Sequence, residues 1–137
     1  MIEGQARSKP GPFKTSTAAP VKWTASKQDR ISLSGETSWT AKVTGRYSIS
    51  SQVECSGIYN AGIRSGIDNH RGTQTIPVVG EVYTANAGTT TKSKVMSNSN
   101  VSLAAGDQIR VWARVNISGV DPSHTGNGTF SMKYLGK

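Results

Sequence analysis

Residues 103–117 read Leu-Ala-Ala-Gly-Asp-Gln-Ile-Arg-Val-Trp-Ala-Arg-Val-Asn-Ile, and this stretch decides the fold class. Ile109, Val111, Ala113, Val115 and Ile117 fall on every second position, with Arg110, Trp112 and Arg114 between them. A period of two belongs to an extended chain whose successive side chains point to opposite faces, so the run predicts a strand with one apolar and one polar face. Gly106-Asp107, just before it, predicts a turn, because glycine tolerates positive φ and an aspartate carboxylate accepts from nearby backbone amides. Asp107 is therefore read as turn chemistry and not as a catalytic acid.

The same period recurs outward from this run. Trp39, Ala41 and Val43 alternate with Thr40 and Lys42, and Tyr47, Ile49, Ser51, Val53 and Cys55 share one face after Gly45. Ala61, Ile63, Ser65 and Ile67 form a further run. Val78, Val79, Val82 and Tyr83 predict a strand interrupted at Gly80, residues 91–96 another, and Phe130, Met132 and Tyr134 a last one. No window sustains a 3.6-residue period. Many short strands separated by Gly, Asn, Asp and Ser predict an all-β antiparallel sandwich or barrel. Ser56-Gly57-Ile58, Ala61-Gly62-Ile63 and Ser65-Gly66-Ile67 repeat a small residue, Gly and Ile at spacings too irregular for a solenoid. Gly inside a strand marks a bulge or a close approach, so these positions are read as bends or as a tight subunit contact.

Composition fits a thin sandwich. The 137 residues make one domain, and only 34% are apolar before the 15 glycines are added. Sixteen Lys and Arg against eight Asp and Glu leave a net charge of +8. Such a balance implies attraction to something acidic: nucleic acid, an anionic membrane face, a polyanionic glycan or an acidic protein surface. No apolar run reaches the ~18 residues of a membrane span, and residues 1–14 lack the apolar core of a signal peptide. The expectation is synthesis in a cytosol.

The first 20 residues read differently from the rest. Pro10, Pro12 and Pro20 break regular structure while Arg7, Lys9, Lys14 and Lys22 bring charge. They predict an extended basic N-terminal arm over residues 1–20, ahead of a β-sandwich domain over residues 21–137. An extended basic segment can lie along a partner or add a strand to an open sheet edge. Deleting it is expected to leave the domain folded.

Chemistry is sparse. Cys55 is the single cysteine and has no His near it in sequence, so it is read as a buried, inert thiol. His70 and His124 lie in polar stretches read as solvated loops, and neither Asp68 with His70 nor Asp121 with His124 supplies the three or four ligands a metal needs. No cofactor, metal or catalytic residue is assigned. The most suggestive group is Arg110, Trp112 and Arg114, all pointing away from the core face. A Trp between two guanidiniums can stack on a base or sugar, or anchor an acidic protein surface. Nucleic acid would call for more exposed aromatics, so the reading favours a protein interface.

Three stretches carry a family resemblance. Val43-Thr44-Gly45-Arg46-Tyr47-Ser48-Ile49 resembles the G-x-Y-x-apolar strand of jelly rolls of the complement C1q and tumour necrosis factor type. Leu103-Ala104-Ala105-Gly106-Asp107-Gln108-Ile109 resembles the L-x-x-G-D-x-apolar approach to one of their late strands, and Phe130-Ser131-Met132 their closing F-S-apolar strand. The order and spacing of the three also match. With only two Phe, the aromatic core is thinner than in the mammalian domains. The resemblance implies an antiparallel jelly-roll β-sandwich acting as an oligomeric binding head. The same architecture occurs in cement proteins of short-tailed bacteriophage heads.

The expectation that follows is a virion structural protein and not an enzyme. It would be a cement or decoration protein on the capsid exterior, made in the host cytoplasm and bridging subunits of the major capsid protein through an acidic surface. It would be a homo-oligomer: a dimer suits a staple across a two-fold position, whereas the C1q-type resemblance implies a trimer. The expected partner-binding residues are Arg7, Lys9, Lys14 and Lys22 of the arm, with Arg110, Trp112 and Arg114 of the late strand. The alternative is a receptor- or glycan-binding head of a phage tail fibre or spike.

Overall fold

Alternation of buried and outward side chains is realised in strand after strand of a computed structural model that describes residues 2–12, 18–56, 62–84, 92–115 and 123–137. Its strands are β1 (Ile2–Ser8), β2 (Gly11–Pro12), β3 (Ala19–Pro20), β4 (Trp23–Gln28), β5 (Ile31–Ser34), β6 (Ser38–Ala41) and β7 (Gly45–Ser56). They continue with β8 (Ile63–Arg71), β9 (Gln74–Thr84), β10 (Lys92–Leu103), β11 (Gln108–Val115), β12 (Ser123–His124) and β13 (Thr129–Gly136). There is no helix among the described residues.

Every pairing is antiparallel. In the first sheet β10 takes one edge of β7 over its whole length, Lys92 opposite Ser56 through Leu103 opposite Gly45. On the other edge of β7, β12 and β13 follow one another, and beyond β13 come β1 and then β4. The second sheet runs β5, β6, β11, β8, β9, with β3 also on β11. The two antiparallel sheets make a jelly-roll sandwich.

The apolar faces of the two sheets meet in one core. Trp39 stacks on Phe130 with ring centroids 4.7 Å apart, and Trp23 leans on the same Phe at 5.6 Å. Tyr47, Ile49, Val53, Ile109, Val111 and Met132 complete it, all at 0% exposure. Burying each such side chain contributes about 1.5–3 kcal/mol. The β11 pattern is strict, with Ile109, Val111, Ala113 and Val115 buried and their neighbours half-buried.

The turn before β11 forms as its sequence predicts. Gly106 has φ +96°, and the buried Asp107 carboxylate accepts from the Ala104 amide at 2.9 Å. It also accepts from Asn69 Nδ2 at 3.0 Å and from Arg71 Nε and Nη2, both at 2.9 Å. These bonds hold its pKa down at about 2. One carboxylate thus ties the start of β11 to the end of β8.

Two expectations need correction. Strand β9 continues through Gly80, although its pairing with β8 slips there, from Val82 opposite Ser65 to Val79 opposite Ile67. More important, the start of the chain is not an arm. Strand β1 lies between β13 and β4, with Ala6 opposite Phe130 on one side and Ala25 on the other. Next, β2 pairs with β12 and β3 with β11, so the described parts of residues 1–20 belong to the sheets. The physical reason is that the buried side of β1 consists of Glu3, Gly4, Ala6 and Ser8, none of them an apolar signal. Glu3 tolerates burial because its carboxylate is ion-paired with the Arg30 guanidinium and accepts the Arg30 amide at 3.2 Å.

Candidate functional site

Each sheet turns one face to solvent, and the two faces differ in character. On the first sheet the outward rows follow from the register. Asn98, Ser50, Ser131 and Gln5 stand side by side across β10, β7, β13 and β1, as do Met96, Gln52, Thr129 and Arg7. The face is built of small polar side chains, with Met96 exposed on it at 61%. Its exposed charges are Arg7, Arg46, Lys94 and Lys133, with buried Glu54 opposite Lys94.

The carboxylates are committed elsewhere. Among the described residues Glu3 is paired with Arg30, Asp29 with Lys27, Glu36 with Lys9, and Glu81 with both Arg64 and Arg114. Asp107 holds Arg71, and buried Glu54 accepts from Thr125 Oγ1 at 2.6 Å and Asn127 Nδ2 at 3.1 Å. By contrast Arg7, Arg46, Lys94 and Lys133 make no ion pair among the described residues. Buried Glu54 lies opposite Lys94 in the register of this face, and away from it Lys22 and Lys42 are likewise exposed without an ion pair among the described residues.

The outward face of the second sheet is a groove of about 520 Å³, whose lining includes Pro20, Asp68, His70, Val79, Arg110 and Trp112. Trp112 lies opposite Gly66 on β8 and Pro20 on β3. A Cβ at position 66 would stand 2.5 Å from Trp112 Cζ2 and 2.7 Å from its Cε2 and Nε1, so only glycine leaves room for the indole. The register of β8 against β9 also shifts here, between Ser65 and Ile67. The glycine echo thus marks a close approach at Gly66, opposite a bulge whose extra residue lies on β9 at Gly80–Glu81, while residues 57–61 lie outside the described residues.

Asp68 and His70 share this face. Burial raises the Asp68 pKa, against the pull of His70 and of a hydrogen bond from the Trp112 side chain. Burial lowers that of His70, and Arg110 pushes it the same way. His70 is thus a half-buried strand residue, not part of a solvated loop. The two arginines flanking Trp112 are drawn aside. Arg110 Nε donates to Ser38 Oγ at 2.7 Å, and Arg114 Nη2 to Glu81 at 2.8 Å.

The other partner-binding candidates are scattered. Arg7 faces outward on β1, Lys9 is paired with Glu36, Lys22 is exposed, and Lys14 lies outside the described residues. The solvated-loop reading of His124 is also corrected, since this residue is 8% exposed with Nδ1 3.7 Å from Cys55 Sγ. The contact joins positions 69 apart in sequence, beyond the reach of local motifs. Desolvation pushes the thiol up to about 12 and the imidazole down to about 4. Both are neutral at pH 7, so the pair is a packed contact without a thiolate nucleophile. No group of three or more His, Cys, Asp and Glu is placed to hold a metal among the described residues. Nor is any helix there long and apolar enough to cross a membrane.

No protein-family model matches the sequence, and no curated protein does. Solved structures do match in fold. Eiger TNF from S. frugiperda superposes with a TM-score of 0.75 at 14% identity, covering 99% of this chain and 94% of that one. Murine APRIL gives 0.76 at 14% identity at pH 5.0 and 0.74 at 12% at pH 8.0, each covering 98% of both chains. At such identities the likeness is one of fold. It agrees with the jelly roll implied by the Gly45, Gly106-Asp107 and Phe130 motifs.

Proposed function

We propose that this chain is a non-catalytic docking protein of the cement type, decorating the outside of a bacteriophage head. The observation that carries the reading is electrostatic. Arg7, Arg46, Lys94 and Lys133 share one sheet face and make no ion pair among the described residues, while Glu3, Asp29, Glu36, Glu54, Glu81 and Asp107 are engaged within the molecule. Such a face complements an acidic protein surface, and the major capsid protein is the proposed partner. The rows of Ser, Thr and Asn on this face offer hydrogen bonds at a lower cost in side-chain entropy than long side chains would. A stable contact of about 1,600 Å² in total is within reach of one sheet face.

The docking surface is assigned to the first sheet because Arg114 on the second is already neutralised by Glu81. Copies are proposed to associate as a trimer, with a dimer across a two-fold position as the competing stoichiometry. Sedimentation equilibrium distinguishes the two. Docking is tested by co-sedimenting the purified protein with emptied phage heads in rising salt. Saturable binding that weakens with salt is expected, and attachment to host cells without attachment to heads would contradict it.

A further inference from the structure

Trp112 stands apart from the other two tryptophans. Trp23 and Trp39 are core residues at 0% exposure, whereas Trp112 is half-buried on the outward face of β11. Three features converge on it. Gly66 clears the space its indole occupies. Asp68 and His70, on the strand beside β11, line the same groove. Arg110 is anchored through Nε on Ser38, leaving its two terminal nitrogens without a partner among the described residues.

An aromatic ring beside an acceptor, an imidazole and a free guanidinium suits a ligand with one apolar face and a hydroxyl rim. A volume of about 520 Å³ lies within the range of small-ligand sites and accepts more than one sugar ring. An acidic protein surface fits poorly, because Asp68 and Glu81 both line the groove and Glu81 already occupies Arg114. A nucleic acid strand would need several free cations along a track, and here Arg110 alone is uncommitted.

We propose that this groove binds a saccharide: a pyranose ring lies on the Trp112 indole, hydroxyls meet Asp68 and His70, and Arg110 receives a carboxylate substituent. The site is on the sheet opposite the proposed docking face, so a docked protein would keep it open to solvent. The chain would then have two binding faces, one for the shell and one for acidic polysaccharide.

The test uses the full chain, with tetragalacturonate as the acidic probe and maltotetraose as the neutral one. Binding is read from the indole N–H resonances and by calorimetry in low salt. Tetragalacturonate is expected to shift the Trp112 signal while leaving those of Trp23 and Trp39 in place. It should bind at least about fivefold more tightly than maltotetraose, a preference that Arg110→Gln removes. Asp68→Asn and Trp112→Ala should each weaken binding about tenfold, and Trp112→Phe, which keeps a platform, less than Trp112→Ala. Head co-sedimentation should be unchanged in all four variants. No Trp112 shift with either sugar at about 10 mM, a concentration that reveals even millimolar affinity, would overturn the proposal. So would sugar binding that survives Trp112→Ala, or that Asp68→Asn leaves intact.

Discussion

Replacing Asp107 with asparagine tests the linkage between the turn, β8 and β11. The native carboxylate is 2% exposed and accepts from Ala104, Asn69 and Arg71. These partners lower its pKa from 3.8 to about 2. At about 1.4 kcal/mol per unit, the ionised group contributes roughly 2 kcal/mol at neutral pH. Arg71 is half-exposed, which argues against a larger figure. Because the folded-state pKa is depressed, the contribution is complete above about pH 4 and is lost as pH falls through 2. Asparagine keeps one acceptor oxygen but no charge. Asp107→Asn should therefore be about 2 kcal/mol less stable at pH 7, about 1 kcal/mol at pH 3, and nearly equal at pH 2. Urea titrations followed by tryptophan fluorescence at these three pH values measure the gap. A gap below about 0.5 kcal/mol at pH 7 would refute the reasoning, and so would one that stays constant down to pH 2.

Other consequences are equally direct. Deleting residues 1–8 removes a strand from between β13 and β4, so the cooperative melt and near-ultraviolet circular dichroism should be lost; a truncated protein that still melts cooperatively would contradict the placement of β1. Burial holds His124 at about 4 against 6.5, so the unfolded state binds more protons between those values and stability should fall by about 3 kcal/mol from pH 7 to pH 4. His124→Gln should flatten that slope, as urea midpoints across the range will show. Gly66→Ala forces the Trp112 indole to move and should destabilise by about 1–3 kcal/mol, with a red-shifted emission component; unchanged emission and stability would refute the close approach.

Much of the fold was legible because apolar residues mark the buried side of most strands. Tyr47, Ile49, Val53, Ile109, Val111, Phe130 and Met132 all point inward as their period of two requires. Strand β1 was hidden because its buried side holds a carboxylate, a glycine, an alanine and a serine, and β10 extends past Met96 through Ser and Asn residues that resemble a loop. The prolines that suggested an arm sit at strand ends and edges, at Pro12 and Pro20, where a missing amide is tolerated. The site was legible in part. The alternation around Trp112 set it on the outward face, but nothing local announces that Asp68 and His70 stand beside it, since their partners on β11, Arg110 and Gln108, lie far along the sequence. Arg114 looked free because its partner Glu81 is 33 residues away.

Outward charge on the first sheet is what the proposed function rests on, and reversing it is the most direct measurement. Arg46→Glu with Lys133→Glu exchanges two exposed cations for anions without touching the core. Co-sedimentation with emptied heads at about 0.1 M salt, where the screening length is about 10 Å, should show affinity falling by at least about tenfold while the melting curve stays in place. Undiminished binding by this folded double variant would contradict the account.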